Sequence, residues 1–510
     1  MWTVDSLRLL IENIRGDHPI PAGQGVEPAP KLDTAGLGES LFLVISNREP
    51  YVHTSSGGEI KCQVPASGLT TALDPVMRAC GGVWIAHGSG DADREASDAE
   101  GKVQVPPGEE KYTLKRVWLT KEEEDGYYYG FSNEALWPLC HIAYTRPVFN
   151  ESDWQTYKKV NRRFAEAALE EMGGRKAFVF IQDYHLALAS RIIKEGNPSA
   201  VVAQFWHIPW PNREAFRICP WGEEFLDGLL GNDILGFHIQ YHCNNFLDTV
   251  DRAIEARVDY ERFQVTRGGH TTRVRPFPIS VDFEDIDRRA RSAEVASAAD
   301  QLRQRLSLGE VAIAVGLDRI DYTKGIPDRL RAIDRFLEKY PQYVGRFVMV
   351  QAGVVSRVHV PAYRRLNEEV DGLVQDINWK YQQDHWKPIV YLKEHLAPEV
   401  LLALNRIANI CMVTSLHDGM NLVAKEFVSS RFDEDGVLIL SPYTGAAREL
   451  GTALLVNPYA TDEMAEAIRT ALEMPAAERK KRMRAMRMVV RENNVYNWAA
   501  SIISEMAKLA

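Results

Sequence analysis

From residue 41 onward the chain alternates short, nearly unbroken apolar runs with helix-period segments, and few folds tolerate that alternation. The runs cover residues 41–46, 177–182, 201–207, 233–237, 312–317, 347–352, 410–414 and 437–441. Each is rich in Val, Ile, Leu and Phe with no in–out alternation, as strands buried on both faces are. Parallel strands flanked by helices meet that condition. Between them, residues 154–172, 245–256, 326–340, 361–380, 398–408 and 422–431 read as helices. Repeated βα units of this kind predict an α/β, doubly wound architecture.

The chain has 510 residues, and one doubly wound sheet spread over about 470 of them would exceed the size of a single core. A polar, Ala/Arg/Ser-rich stretch at 284–308 precedes a fresh strand pattern and marks a boundary. Two Rossmann-like domains facing across a cleft are expected, over residues 41–283 and 284–487, with a terminal helix at 488–510 packing back on the first. Met483, Met486, Met488 and Val489 in that region read as core contacts. Residues 1–40 read as an extension: an amphipathic helix carrying Leu7, Leu10, Ile11 and Ile14, then a Pro/Gly-rich linker. A dispensable arm and a helix that docks on a partner subunit both fit.

Seventy acidic against sixty basic side chains leave a net charge of −10, which excludes a broad nucleic-acid footprint but not a small anion held by a few local cations. Six scattered cysteines without a C-x-x-C pair offer neither a disulfide framework nor a zinc site. No apolar run reaches a membrane span of about 18 residues. Asp5 and Glu12 spoil a signal-peptide profile, so a cytoplasmic protein is expected.

Chemistry concentrates after the strand runs. His417-Asp418-Gly419-Met420-Asn421-Leu422-Val423-Ala424-Lys425-Glu426 follows one strand and opens a helix. A glycine-containing turn feeding a helix N-terminus binds anions; an ordinary turn capped by Asn421 fits the same residues. Arg319-Ile320-Asp321-Tyr322-Thr323-Lys324-Gly325, past another strand, supplies two cations close enough to grip one pyrophosphate, or two solvated loop cations. In the first half, Ser46-Asn47-Arg48-Glu49-Pro50 follows the first strand, Pro65-Ala66-Ser67-Gly68-Leu69 precedes a helix, the run Tyr128 to Pro138 comes next, and Gln182-Asp183-Tyr184-His185 and Trp206-His207 each end a strand run. Open α/β sheets place ligands at such ends. Asp91-Ala92-Asp93 matches a D-x-D metal motif superficially, but it follows a Gly-Ser-Gly loop rather than a strand and reads as a surface acidic loop.

Together these segments resemble trehalose-6-phosphate synthases, retaining glycosyltransferases of the two-Rossmann GT-B fold, over roughly residues 41–507. The resemblance implies transfer of glucose from a nucleotide-glucose, usually UDP-glucose, to glucose 6-phosphate. By matching position it implies that Arg319, Lys324 and the backbone of Asn421 and Leu422 meet the donor diphosphate. Gly68 would approach that diphosphate, and Glu426 would hold the ribose. Asp418, Gly419, Met420 and His207 would hold the donor glucose, and Leu396 stands near the base. Arg48, Tyr128, Trp137 and Arg357 would take the acceptor phosphate, and Asp183 the acceptor hydroxyls. Arg319, Lys324, His207 and Asp183 are the residues expected to carry catalysis.

The resemblance further implies no cofactor and no metal, a homo-oligomer, no nucleic-acid or membrane partner, and a separate trehalose-phosphate phosphatase acting on the product. Gln182 where the family often has His, Ser67 where it has Gly, and Leu396 where an aromatic is common leave the nucleotide open between UDP, GDP and ADP. A glucosylglycerol-phosphate synthase is one rival reading, and a catalytically silent sugar-phosphate sensor another. The four phosphate-suited residues Arg48, Tyr128, Trp137 and Arg357 weigh against a phosphorylase. With no evident carboxylate nucleophile in the matched motifs, same-face attack within an ion pair is expected rather than double displacement.

Overall fold

The structure, a computed structural model, describes Ser6 and residues 40–509 except Ala66, Ser67, Ser356 and Val358. The helix expected over residues 1–15 and the linker after it lie outside the described residues, Ser6 apart. The chain divides into two units, Met1–Ile279 with Val495–Ala510, and Ser280–Asn494.

The first unit is built on strands β1 (Leu41–Arg48), β2 (Val52–Ser56), β3 (Glu59–Gln63), β4 (Val83–His87), β5 (Lys102–Val105), β6 (Tyr112–Val117), β7 (Ala177–Gln182), β8 (Val201–Phe205), β9 (Ile234–Phe237), β10 (Arg257–Asp259), β11 (Gln264–Arg267) and β12 (His270–Pro276). Its large sheet runs β10-β11-β12-β9-β8-β7-β1-β4-β6-β5. From β6 to β12 neighbouring strands are parallel, and antiparallel β5, β10 and β11 finish the edges. Read from β6, these parallel strands come in chain order 3-2-1-4-5-6-7, so the winding reverses between β1 and β7. That is the doubly wound plan, and the reversal is where such sheets open a crevice. β7 is buried along its whole length, as its unbroken apolar run requires.

β2 and β3 form a separate antiparallel hairpin that no apolar run announced, because β3 is exposed throughout. After the second unit the chain returns as the helix Val495–Ala507, which sets Trp498 against Phe180 of β7 and Phe205 of β8, with ring centroids 5.9 and 5.2 Å away.

The second unit carries β13 (Ala312–Arg319), β14 (Phe347–Val354), β15 (Ile389–Leu392), β16 (Ile410–Val413), β17 (Val437–Leu440) and β18 (Leu454–Leu455) in one parallel sheet, ordered β15-β14-β13-β16-β17-β18. In chain order this is again 3-2-1-4-5-6, with the reversal between β13 and β16. β13 pairs with β14 over eight residues but with β16 only at Ala314–Ile410 and Val315–Cys411, so the strands part toward their carboxyl ends.

Arg329, on the helix Ile326–Lys339, fills the space beneath that opening. Its Nη1 donates to Asp318 Oδ2 at 2.6 Å and Gln351 Oε1 at 2.8 Å, and its Nε donates to Thr414 Oγ1 at 3.0 Å. One guanidinium thus ties β13, β14 and the end of β16 together. A side chain at Gly316 would stand 2.2 Å from Arg329 Nη1, so this position stays without one.

Two sequence expectations need correction. Met483 and Met486 are buried, but Met488 is 57% exposed, because the inner face of the helix Ala476–Glu492 continues to Val490. The Asp91–Asp93 run is not a surface loop as a whole: Asp91 is exposed, whereas Asp93 is fully buried and paired with the equally buried Arg116, Nη2 to Oδ1 at 2.8 Å. Among the described residues no helix is long and apolar enough to cross a membrane.

Removing one partner from a buried charge network leaves the others uncompensated and typically costs about 3–5 kcal/mol. Arg329→Ala should therefore lower the unfolding free energy by that order, read by denaturant unfolding followed with circular dichroism. A midpoint like the wild type's would mean Arg329 does not hold the strand ends.

Candidate active site

In the first unit the predicted residues gather around the β1/β7 reversal. Ser46 Oγ accepts from Trp84 Nε1 at 2.8 Å and donates to the Arg48 carbonyl at 2.6 Å. The β1–β4 register slips between Ser46 and Arg48, and a bulge at a strand end re-aims the side chain that follows it. Arg48 is consequently exposed, with Nη2 at 3.5 Å from Tyr128 Oη. Tyr128 lies in the π-helical segment Asp125–Leu136, and its ring stacks on His185 at 5.6 Å. Asn133 holds that segment to the β7 end: its Nδ2 donates to the Tyr128 carbonyl at 2.6 Å, and its Oδ1 accepts from Tyr184 Oη at 3.0 Å. Trp137 packs on Tyr184 with centroids 5.9 Å apart.

Asp183, immediately after β7, adopts φ 71° and ψ 178°, a region almost reserved for glycine. Its Oδ1 accepts from the backbone N–H of Tyr184 at 2.9 Å and of His207 at 3.2 Å. His207 Nε2 stands 3.0 Å from Gln182 Oε1. Burial, reinforced by His238 and His185, holds the His207 imidazole well below its ordinary pKa, so the ring is neutral near pH 7. Arg48, Tyr128, Trp137, Asp183 and His207 therefore form one cluster. Gly68 is the first residue of the helix Gly68–Cys80.

In the second unit the loops after β13 and β16 meet at the other reversal. Gly325 makes the approach possible: it sits at φ 62°, and a Cβ there would fall 2.3 Å from the Thr414 carbonyl. Lys324 Nζ reaches Asp418 Oδ2 at 2.5 Å, and the same oxygen accepts from Ser415 Oγ at 3.2 Å and Asn421 Nδ2 at 3.1 Å. Asn421, at φ 77°, caps the helix Leu422–Ser430 by accepting from the Ala424 N–H at 3.1 Å. The cap and the anion site are compatible, because the cap occupies one donor and leaves the preceding N–H groups of the first turn at the positive end of the helix. Glu426 lies one turn further on, and burial raises its carboxyl pKa. Leu396 is buried just before the helix Pro398–Ile407.

Arg319 ends β13, and Arg357 belongs to this unit rather than to the one holding Arg48, Tyr128 and Trp137. Arg357, at φ 53°, donates from Nη1 to Tyr363 Oη at 2.6 Å, and Tyr363 Oη donates to Asp321 Oδ2 at 2.9 Å. Asp321 is fully buried, and its Oδ1 accepts from both the N–H and the hydroxyl of Thr323 at 3.0 Å. Burial would raise its pKa, but the charges of Arg357 and Arg319, the Thr323 N–H and Lys324 outweigh that and keep the carboxyl below its ordinary range. Sequence reasoning assigns Asp321 no role. The one signal for it is its place as the single acid between the two cations of R-I-D-Y-T-K. Among the described residues no group of three or more His, Cys, Asp or Glu side chains could hold a metal ion.

The model of glycosyltransferase family 20 matches residues 40–508. A trehalose-6-phosphate synthase of Mycolicibacterium vanbaalenii is 37% identical over 481 residues, 93% of this chain and 97% of that protein. A bifunctional trehalose-6-phosphate synthase/phosphatase of Thermoproteus tenax is 38% identical over 475 residues, which are 91% of this chain but 63% of that protein. Among solved structures, an α,α-trehalose-phosphate synthase (UDP-forming) from Burkholderia xenovorans, in complex with glucose-6-phosphate, superposes with a TM-score of 0.82 at 30% identity. The match covers 92% of this chain and 100% of that one.

Backbone in the Asp183 conformation costs a non-glycine residue about 1–3 kcal/mol. Asp183→Gly and Asp183→Ala both lose the carboxylate, so the difference between them reads the strain, less the extra freedom glycine gains in the unfolded chain. The glycine variant should be the more stable by about that amount in denaturant unfolding. Equal midpoints would mean the loop relaxes.

Proposed function

The chain belongs to glycosyltransferase family 20, and we propose that it moves glucose from UDP-glucose to glucose 6-phosphate, giving α,α-trehalose 6-phosphate and UDP. The observation that carries this reading is the joining of two strand-end loops at one reversal, where Lys324 and Asp418 bring the R-I-D-Y-T-K-G and D-G-M-N-L-V-A-K-E segments into contact.

In this reading Arg319 and Lys324 take the donor diphosphate together with the N-terminus of the helix Leu422–Ser430. The backbone at Asn421 and Leu422 supplies donors to it, and Gly68 lets the chain approach it closely. Glu426 accepts from the ribose hydroxyls, and Asp418, Gly419, Met420 and His207 hold the glucose. On the acceptor side Arg48, Tyr128, Trp137 and Arg357 take the phosphate, and Asp183 takes sugar hydroxyls.

The glucosyl C1–O bond to the diphosphate breaks as a new bond forms, on the same face, to the anomeric hydroxyl of glucose 6-phosphate. The hydroxyl proton passes to the departing diphosphate oxygen. That route needs no protein acid, in keeping with a neutral His207, whose ring acts as a hydrogen-bonding group. Negative charge grows on the diphosphate as the bond breaks. Cations and N–H groups fixed at that position stabilise the transition state more than the ground state, and in most enzymes no other effect lowers the barrier as much. Asp418 and Asp321 hold Lys324 and Arg357 in place before substrate arrives, so little reorganisation is left for the reaction itself.

An assay of the purified protein with UDP-, GDP- and ADP-glucose against glucose 6-phosphate and glycerol 3-phosphate tests the proposal. Trehalose 6-phosphate formed from UDP-glucose is the expected product by mass spectrometry; glucosylglycerol phosphate would overturn it. Arg319→Ala and Lys324→Ala should each lower kcat by about 10²–10³, the loss seen when one transition-state donor is removed. Near-normal turnover in folded protein would remove these residues from the clamp.

A further inference from the structure

Arg48 projects into solvent from a bulged strand end, and a long exposed side chain keeps its aim only if the backbone beneath it is fixed. The next residue does the opposite: Glu49 turns inward and is 1% exposed. Its Oε1 accepts from the N–H of Ser89 at 2.9 Å and from the Ser89 hydroxyl at 3.1 Å, and its Oε2 accepts from Arg116 Nε at 2.8 Å. Arg116 is itself a hub. Its Nη2 donates to the Tyr51 carbonyl at 3.1 Å and to His53 Nδ1 at 2.7 Å, and pairs with the Asp93 carboxylate, Oδ1 at 2.8 Å. Its Nη1 donates to the Asp93 carbonyl at 3.1 Å and to Ser97 Oγ at 2.9 Å. Two residues past Glu49, the Tyr51 hydroxyl donates to Asp74 Oδ1 at 2.9 Å on the helix Gly68–Cys80. The three-residue turn Glu49–Tyr51 is therefore fastened at both ends, and nothing in the chemistry proposed above uses these groups.

We infer that Glu49 is a positioning residue for acceptor binding: through Arg116 and Asp93 it locks the turn after β1 and keeps Arg48 aimed beside Tyr128. The inference rests on Arg48 being an acceptor-phosphate contact.

Two carboxylates on one guanidinium also make the lock sensitive to pH. Glu49 faces Asp93 and Arg116, acts electrostatically on the Cys62 thiol of β3, and shares Arg116 with His53. Burial first, then the hydrogen bond from its own protonated form to Asp93, raises the Glu49 carboxyl to about 7. His53 is held below its ordinary value by burial and by Arg116, so it adds no positive charge. A carboxyl whose pKa is raised by folding stabilises the fold fully below its ordinary value of 4.5 and loses that contribution as pH rises through about 7. Above that pH the turn carries a second buried negative charge next to Arg48.

Steady-state kinetics on the full chain, below and above pH about 7, test the inference. Glu49→Ala should raise KM for glucose 6-phosphate at least about tenfold and leave KM for UDP-glucose within about twofold. Glu49→Gln keeps the shape, the acceptor for Ser89 and a donor for Asp93 but loses the acceptor for Arg116 Nε, so it should recover part of the acceptor KM, well short of the alanine variant's rise. It should also abolish the rise in that KM expected of the wild type as pH increases through about 7. Equal shifts in both KM values, or a glutamine variant that behaves like alanine, would overturn the inference. If Glu49→Ala does not fold, Ser89→Ala, which removes one donor to Glu49, is read by the same KM split. Arg48→Ala separates the two claims. An unchanged acceptor KM there overturns the phosphate role of Arg48, whereas a raised one beside an unchanged Glu49→Ala overturns the positioning role alone.

Discussion

The reversal of strand order is the constraint on which the rest of each unit depends. Where two neighbouring parallel strands send their connections to opposite faces of the sheet, no single connection can cover both carboxyl ends, and a crevice remains. In the second unit β13 and β16 hydrogen-bond at only two residue pairs before diverging. In the first, β1 and β7 pair from Leu41 to Ile45, and beyond that pairing stand Arg48 at the end of β1 and Asp183 just after β7. The opening has to be floored by something polar, because strand-end carbonyls and N–H groups there have lost their ladder partners. In the second unit Arg329 fills that floor, donating to the side chains of Asp318 in β13, Gln351 in β14 and Thr414 just after β16. In the first, Trp84 and Ser46 secure the β1 end, and Gln204 Nε2 donates to the Asp183 carbonyl at 3.0 Å.

Charge follows the same geography. A chain with net charge −10 can still bind anionic sugars, because the relevant cations are few and are held by acids already withdrawn from solvent. Asp321 faces Arg357, Arg319 and Lys324, and Asp418 pairs with Lys324. A buried carboxylate surrounded by several cations leaves a local positive excess while lowering the desolvation penalty of each cation. Part of the acidic surplus thus serves as fixed counter-charge inside the protein, not only as a solvated outer surface.

Legibility from sequence tracks burial. Strands enclosed on both faces, such as β7 and β8, stand out as apolar runs, and their order along the chain leads directly to the doubly wound class. The β2–β3 hairpin does not stand out, since its strand residues are mostly polar and exposed, and the one buried among them is the polar His53. Asp93 defeats a local reading for a related reason. Two acids beside a Gly-Ser-Gly turn point to solvent, and only the arrival of Arg116 from β6, more than twenty residues later, makes burial tolerable. Asp321 is invisible as an anchor because its partners Arg357 and Tyr363 come from beyond the next strand. Motif residues can be picked out one by one; the groups that hold them cannot, because those contacts are long-range.

The backbone shows why such holding groups are needed. Asp183, Arg357 and Asn421 all sit at positive φ, where a side chain is disfavoured. Left to local preference, each loop would relax and carry its functional group away. Asn421 is steadied by its own amide, which bridges Asp418 and the Ala424 N–H. Asp183 is steadied by two backbone donors on its carboxylate, and Arg357 by Tyr363 and Asp321. Each strained residue therefore has a partner buried behind it, and the strain is a sign that placement, not local stability, decides the conformation. A site whose donors must meet charge that appears only in the transition state has to be held in this way before the substrate binds, because reorganisation at that moment would cancel the electrostatic gain.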